Sequence, residues 1–167
     1  MYANPTPPRR RNGSTAPPDG GEPTPDPARP HGPDGELAGV RILVVEDDAT
    51  SAKLFTVLLS EEGAEVTVAT SAEEALARVD TLAPQVVITD LILPRMSGLL
   101  LVQLLRSAPW DRQVPLIISV TAFADVAVER MALEAGCAAH LLKPVDASQF
   151  AAFVAALVRG TGGRNPT

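Results

Sequence analysis

The stretch that decides the fold is Gln85–Gly98, QVVITDLILPRMSG, in which a run of apolar residues ends at a single aspartate. Residues 86–88 are β-branched and carry no polar alternation, which is typical of a strand covered on both faces. Pro94 and Gly98 cannot continue a strand, so a loop is predicted after the aspartate. Asp90 is therefore expected at the carboxyl end of a central parallel strand, where open α/β sheets bind their ligands.

Four other polar residues follow apolar, strand-like runs in the same way as Asp90. They are Glu46, Asp47, Thr121 and Lys143. Each of them alone would equally suit a helix cap, a turn or a solvated strand end. If the runs are neighbouring parallel strands, however, their carboxyl ends meet at one edge of the sheet and all five side chains converge there. The pattern then predicts a single polar site.

Composition divides the chain of 167 residues into a folded domain and two tails. Residues 1–39 hold most of the 16 prolines and half of the 12 glycines, and Leu37 is their only large aliphatic residue. Such a segment buries too little apolar surface to offset its ordering entropy, so it is predicted to be disordered and to add nothing to the core. Residues 40–160 suffice for one domain with a packed core, and residues 161–167 are predicted to be a disordered tail.

Charge and cysteine content exclude several classes of protein. The net charge is −6, and acidic residues outnumber basic ones within residues 40–160, which argues against direct binding to nucleic acid. No apolar run is long enough to cross a membrane, and the N-terminus does not have the pattern of a signal peptide. Cys137 is the only cysteine, so no internal disulfide can form, and a reducing cytoplasm is the expected location.

Helix start and stop signals separate the strand-like runs, so predicted strands and helices alternate along the chain. Besides the run before Asp90, strands are predicted at 40–45, 65–69, 116–120 and 138–142. The predicted helix caps are Asp48 or Thr50, Ser71, Asp125 and Asp146, and the predicted helix ends are Gly63, Gly136 and Gly160. This alternation predicts a three-layer α/β domain with a parallel sheet and right-handed crossovers.

Four motifs, VVEDD, ITDLILPRMSG, SVTAFA and LLKPV, occur in that order between Val40 and Gly160. Together they resemble the receiver domain of two-component response regulators, the CheY-like superfamily, and the likeness is strongest to stand-alone receivers of the DivK type. The resemblance implies a flavodoxin-like sheet of five parallel strands in the order 2-1-3-4-5. It also implies a single-domain response regulator that catalyses only its own phosphorylation and dephosphorylation and is otherwise not an enzyme.

In that strand order Glu46 and Asp47 stand beside Asp90, and carboxylates this close repel one another. At about 4 Å, two such charges repel by about 4 kcal/mol at an effective dielectric constant of about 20, so a cation must be present or a carboxylate must be protonated. Oxygen ligands without a histidine or thiol favour Mg²⁺ over Ca²⁺. The resemblance implies that Glu46, Asp47, Asp90 and the main-chain carbonyl of Ile92 hold this Mg²⁺, with Glu46 acting largely through water.

The resemblance also assigns roles to the other polar residues of the edge. It implies that Asp90 accepts a phosphoryl group from a phosphohistidine, and that Thr121, Ala122 and Lys143 contact the phosphate. The Lys143–Pro144 peptide bond is expected to be cis, although most bonds before proline are trans.

Three residues bear on how the switch works and how long the phosphoaspartate lasts. His140 stands on strand five, where the family often has the tyrosine or phenylalanine that turns inward on activation; it is either a pH-sensitive conformational switch or a partly buried polar residue. The resemblance implies that Ile92 and Phe123 flank the path of the hydrolytic water. Because neither of these side chains can orient water, we expect a long-lived phosphoaspartate.

The implied partners are a histidine kinase or histidine phosphotransfer protein and a downstream target protein, with the receiver a monomer or a weak dimer. Two other functions stay open. A pseudo-receiver would keep the fold and the site as a scaffold without accepting phosphate. A flavodoxin-like or phosphatase-like enzyme fits less well, because the EDDATS loop has no glycine for a nucleotide or flavin and Ile92 stands where such phosphatases have a second aspartate.

Overall fold

The computed structural model describes residues 35–110 and 113–162, in which five β-strands alternate with five α-helices. The strands are β1 Arg41–Val45, β2 Glu65–Ala69, β3 Val86–Thr89, β4 Leu116–Thr121 and β5 Ala139–Leu142. The helices are α1 Ala49–Glu61, α2 Ala72–Leu82, α3 Gly98–Ser107, α4 Val126–Ala135 and α5 Ala147–Gly162. The predicted alternation of strands and helices is therefore confirmed.

All strand pairs are parallel, and the sheet order β2-β1-β3-β4-β5 confirms the predicted one. Val45 of β1 lies opposite Thr89 of β3, and Thr89 lies opposite Ser119 of β4. Because neighbouring strands run in one direction and in this register, the residues that follow them emerge at the same edge.

The sheet is buried on both faces, which explains the unalternated apolar runs of its central strands. Leu43, Val87 and Ile117 belong to one apolar cluster, together with residues of α2, α3 and α4. Ile42 and Ile88, at the alternate positions, belong to a second cluster with residues of α1 and α5. Helices on both sides therefore hold the strands in place and leave only the strand ends open to water.

Side-chain caps fix where each helix leaves the sheet edge. Asp48, and not Thr50, caps α1: its carboxylate accepts a hydrogen bond from the main-chain N–H of Ser51 at 2.7 Å. Similar caps begin the other helices and are provided by Ser71, Ser97, Asp125 and Asp146. Since a capped helix has a defined first turn, the loops between strands and helices are also defined.

The prediction that residues 1–39 add nothing to the core is wrong for residues 35–39. These residues form a turn in which Leu37 is fully buried within the second cluster. The N–H of Leu37 donates to the Glu62 carbonyl at 2.9 Å, and that of Gly39 donates to the Gly63 carbonyl at 3.1 Å. The average composition of residues 1–39 does not reveal this contact. One apolar side chain and two backbone hydrogen bonds to the end of α1 are enough to hold a short turn. Residues 1–34 lie outside the described part.

Helix α5 runs further than predicted. Gly160, the expected end, lies inside the helix, which continues to Gly162. One glycine weakens a helix by only about 1 kcal/mol relative to alanine, and the burial of Phe150, Val154 and Ala155 outweighs that cost. Residues 163–167 of the predicted C-terminal tail are not among the described ones. None of the helices within the described ranges is long and apolar enough to cross a membrane.

Candidate functional site

The carboxyl ends of β1 and β3 carry the two buried acids of the site. Glu46 follows β1 and is 2% exposed, and Asp90 follows β3 and is 8% exposed. Main-chain hydrogen bonds extend the sheet by one residue on both strands: Glu46 N–H donates to the Ala69 carbonyl, and Asp90 N–H donates to the Val45 carbonyl, both at 3.0 Å. Backbone pairing therefore brings the two carboxylates together.

Lys143 links these two acids from the far side of the sheet. Its Nζ donates to Glu46 Oε2 at 2.5 Å and to Asp90 Oδ2 at 2.7 Å. The main-chain N–H of Lys143 donates to the Thr121 carbonyl at 2.8 Å, which anchors the lysine to the end of β4. The Lys143–Pro144 bond, for which the cis form is predicted, is cis. The charged residues that follow β1, β3 and β5 thus form one cluster, which a backbone hydrogen bond anchors to the end of β4.

Burial and charge act against each other at this cluster. Burial raises the pKa of Glu46, and the Lys143 ammonium only partly offsets the effect. For Lys143, burial alone would lower the pKa, but the hydrogen bonds to Asp90 and Glu46 together raise it. The lysine is therefore held in its charged form. Because one ammonium faces two carboxylates, the cluster carries a net negative charge whenever both are ionised.

The loop after β3 holds Asp90 tightly from its other side. Asp90 Oδ1 accepts from the main-chain N–H of Ile92 at 2.8 Å, and the N–H of Gly98 donates to the Leu91 carbonyl at 3.0 Å. A Cβ on Gly98 would lie 1.8 Å from the carbonyl oxygen of Asp90, so only glycine can occupy this position. The glycine read from the sequence as a turn signal is thus required by the close approach of two backbone segments.

Sequence reasoning missed a link between this loop and α2. Arg95 has a φ of +66°, a left-handed conformation that is uncommon for a residue with a side chain. Its Nε lies 3.1 Å from Glu73 Oε1. The two residues are 22 positions apart, so no local pattern could have paired them. The contact links the outer part of the loop to α2 through an exposed ion pair.

The proposed metal ligands are only partly assembled by contacts within the protein. Glu46 and Asp90 share Lys143, whereas Asp47 is exposed. Among residues 35–110 and 113–162, no group of three or more Asp, Glu, His or Cys side chains is arranged so that it could hold a metal ion. The donor chemistry nevertheless fits Mg²⁺, because the carboxylates at this edge offer hard oxygen atoms and retain uncompensated negative charge. The metal site stays a prediction.

The remaining predicted residues lie at the end of β4 and beside the acceptor. Thr121 is fully buried, and its Oγ1 accepts from the Phe123 N–H at 3.4 Å, which is a long and weak hydrogen bond. Ala122 is exposed. Phe123 and Ile92, both apolar, are 57% and 58% exposed. Apolar side chains therefore border the site on the solvent side.

His140 has a partner that the sequence analysis did not identify. Its Nδ1 lies 2.9 Å from Oγ of Ser119, the residue directly opposite on β4, while its Nε2 is buried without a partner within the described residues. A polar residue two positions before Thr121 in an otherwise apolar strand was the available signal, because alternate residues share a face. His140 is thus a half-buried side chain whose ring is only half satisfied.

Comparisons with known proteins agree with this arrangement. The profile described as "Response regulator receiver domain" matches residues 42–155. An uncharacterized 14.6 kDa protein of Leptolyngbya boryana is 38% identical over 110 residues, covering 66% of this chain and 83% of that protein. The DNA-binding response regulator MtrA of Mycolicibacterium paratuberculosis is 37% identical over 119 residues, covering 71% of this chain. The match spans only 51% of MtrA, about half its length.

A solved structure shows the same architecture. The crystal structure of a putative response regulator from Chloroflexus aurantiacus aligns with a TM-score of 0.68 at 30% identity, covering 72% of this chain and 98% of that one. None of these comparisons distinguishes a DivK-type receiver from others, so that closer likeness stays a prediction.

Proposed function

This chain belongs to the response regulator receiver domain family, and from that premise we propose that Asp90 accepts a phosphoryl group from a phosphohistidine of a histidine kinase or a histidine phosphotransfer protein. The observation that carries the proposal is the position of Lys143 Nζ, 2.7 Å from the Asp90 carboxylate. It brings a fixed positive charge to the atom that would become bonded to phosphorus.

The proposed reaction is an in-line displacement. A carboxylate oxygen of Asp90 attacks phosphorus, the phosphorus–nitrogen bond of the phosphohistidine breaks, and the imidazole leaves with the electron pair. The Lys143 ammonium then follows the negative charge from the carboxylate to the phosphoryl oxygens. Since the Ile92 N–H already holds Asp90 Oδ1, the acceptor is oriented before the donor arrives.

Mg²⁺, when held by Glu46, Asp47, Asp90 and the Ile92 carbonyl, would supply the second positive charge that neutralises the phosphoryl oxygens. The buried Glu46 carboxylate would then face two cations instead of one. Asp47 is exposed and next in sequence to Glu46, so it is available to the ion.

The proposed switch begins at Thr121. Its hydroxyl group and the backbone at Ala122 contact the new phosphate, and the long bond from the Phe123 N–H is the weaker alternative. The movement of this loop is then passed to α4 and to His140 on β5, whose Ser119 contact it changes. The receiver thereby alters its binding to a downstream protein.

The phosphoaspartate is proposed to be long-lived. Ile92 and Phe123 are both more than half exposed beside the acceptor, and neither can hydrogen-bond an attacking water molecule. A half-life of seconds in the purified protein with Mg²⁺ would contradict this part of the proposal.

Partners are proposed to dock next to the site on α1. Lys53, Leu54 and Val57 are exposed on this helix, and the two apolar side chains have 43% and 44% of their surface open to solvent. A monomer or weak dimer that acts in the cytoplasm through protein partners, and not through nucleic acid, stays our prediction. The DNA-binding description belongs to MtrA, which is about twice as long as the matched region.

The test is phosphorylation by a small donor. We expect acetyl phosphate or phosphoramidate with Mg²⁺ to give an acid-stable, base-labile adduct detected by intact mass, and we expect Asp90→Asn to abolish it. Asp80→Asn, an exposed carboxylate on α2, is the matched control and should be labelled like the native protein. A folded native protein that no donor labels would instead support the pseudo-receiver, and equal labelling of Asp90→Asn would overturn the assignment of the acceptor.

A further inference from the structure

A second concave site lies at the opposite end of the sheet from Asp90. It is a cavity of about 500 Å³ between the start of β1, the residues that precede β3 and β4, and α3. Ligand sites for small molecules have about this size, roughly 300–1,000 Å³. The phosphoryl transfer proposed above makes no use of it.

Two arginines border this cavity, and each is held in place by a main-chain carbonyl. Arg41 Nε donates to the Ala83 carbonyl at 3.1 Å, and Arg106 Nε donates to the Gly136 carbonyl at 2.9 Å. Arg106 Nη2 donates to the same Gly136 carbonyl. A guanidinium group has five N–H donors, so these bonds orient both groups and leave other donors for a ligand.

The charge of the cavity is opposite to that of the whole chain. None of the described residues that line it is acidic, although the net charge of the chain is −6. Glu65 lies opposite Arg41 on β2 and lines a smaller neighbouring cavity, which Arg41 also borders. Two guanidinium groups that border one space, with no carboxylate among its described lining residues, favour an anion there.

We propose that this cavity binds a small organic oxyanion of about nucleotide size. Arg41 and Arg106 hold its phosphate or carboxylate group, because the planar fork of a guanidinium matches two oxygen atoms of such a group. Val114 and Pro115 provide an apolar wall for the body of the ligand, and Gln113 adds a polar side chain at the edge.

Arg106 also connects the cavity to the end of α4. Gly136 ends that helix with a φ of +111°, and a Cβ there would lie 2.7 Å from Arg106 Nε. A ligand that accepts hydrogen bonds from the Arg106 guanidinium group therefore changes the surroundings of Gly136. The amide resonance of Gly136 is a local reporter of binding that does not depend on activity.

The experiment is an NMR titration of the unphosphorylated full chain with AMP, adenosine and inorganic phosphate. We expect AMP to bind with a dissociation constant of about 1 mM or less and to shift the signals of Arg41, Arg106 and Gly136. Adenosine should give no such shifts, and phosphate should bind more weakly than AMP. The proposal is overturned if AMP leaves these signals unchanged, if its shifts are confined to the Asp90 edge, or if phosphate binds as tightly as AMP.

A charge added at the edge of the cavity tests the site without removing a structural arginine. We expect Gln113→Glu to weaken AMP binding about tenfold or more, since it places a carboxylate beside the anion. Ala152→Glu, which adds the same single charge at an exposed position of α5 outside the cavity, should bind AMP like the native protein. Equal weakening by both variants would show a general charge effect and reject the site. Labelling of Asp90 should be the same in both variants, so the outcome is independent of the proposed phosphotransfer.

Discussion

The loops that follow β3 and β4 start from neighbouring strands, yet they are held very differently. The loop after β3 is held by hydrogen bonds at Ile92 and Gly98, and the exposed pair of Arg95 with Glu73 links it to α2. The loop after β4 is exposed at all four residues 122–125. Ala132 is the only fully buried residue of the helix α4 that it leads into.

This difference separates Asp90, the proposed acceptor, from the segment that is proposed to respond to it. A carboxylate that is to be phosphorylated benefits from fixed geometry, because positioning supplies much of the rate of phosphoryl transfer. A segment that is to report on the phosphate must change position at small cost, and few buried contacts make this possible. The same sheet edge thus combines a rigid half and an easily displaced half.

The largest expected effect on stability is that of Gly98→Ala, a change within the loop after β3. The added Cβ would overlap the Asp90 carbonyl oxygen. We therefore expect the free energy of unfolding to fall by about 3 kcal/mol or more, and phosphorylation to be lost. Urea unfolding and labelling by acetyl phosphate measure both. Gly160→Ala is the matched control, since nothing lies within 4 Å of its Cβ, and it should be as stable as the native protein or more so. A stable, fully labelled Gly98→Ala protein would remove the steric basis of the comparison.

Lys143→Met is expected to be nearly as severe. It leaves the buried carboxylates of Glu46 and Asp90 without their shared ammonium, which should cost about 3 kcal/mol at neutral pH. Because the pKa of Lys143 is raised, the part of this stabilisation that depends on the lysine proton is fully present below the unfolded value of 10.5 and is lost as the pH rises through the higher folded value. Lys53→Met on α1 should change the free energy of unfolding by no more than about 0.5 kcal/mol. A similar small change for Lys143→Met would mean that the ion pairs do not hold the acceptor.

Glu46→Gln is expected to act in the opposite direction. Burial raises the pKa of Glu46, so its contribution to stability is fully present below the unfolded value of 4.5 and is lost as the pH rises through the higher folded value. In buffer without Mg²⁺ at neutral pH, we expect the free energy of unfolding of the variant to exceed that of the native protein by about 1 kcal/mol. This difference should disappear in acid. Urea unfolding across that pH range measures the difference. An advantage that grows in acid would contradict the sign.

The smallest expected effect on stability is that of His140→Tyr, which probes the responsive half. The change removes the unpartnered Nε2 but also the contact with Ser119, so the free energy of unfolding should change by about 1 kcal/mol or less. Labelling at Asp90 should stay the same, while the chemical-shift changes that phosphorylation causes in α4 and β5 should differ from those of the native protein. Identical shift changes in both proteins would count against a switching role for His140.

The sequence predicted the fold well because its signals are local and agree with one another. An apolar run that stops at an acid predicts a buried strand with a polar end, as at Asp90, and Ser71 and Asp125 mark helix starts. Parallel strands then leave little choice about where their ends meet. This reasoning brought Glu46, Asp90 and Lys143 to one edge, where the structure has them in contact.

What the sequence could not predict depends on contacts between distant segments. Leu37 is buried in a cluster with residues far along the chain, such as those of α1 and α5. The pairs of Arg95 with Glu73 and of His140 with Ser119 also join separate elements. Asp47 differs for another reason. It is exposed, so packing does not fix its side chain, and only a bound ion would hold it at the site.

The turn at 35–39 has a practical consequence for work with isolated receivers. The boundaries of the family match, 42–155, would remove Leu37 from one end and the last turns of α5 from the other. Both losses fall on the same apolar layer, because Leu37 belongs to the second cluster and Leu157 and Val158 of α5 pack against it. We therefore expect a stable fragment to start before the first of the four motifs, since one designed from those motifs alone would expose part of the second cluster.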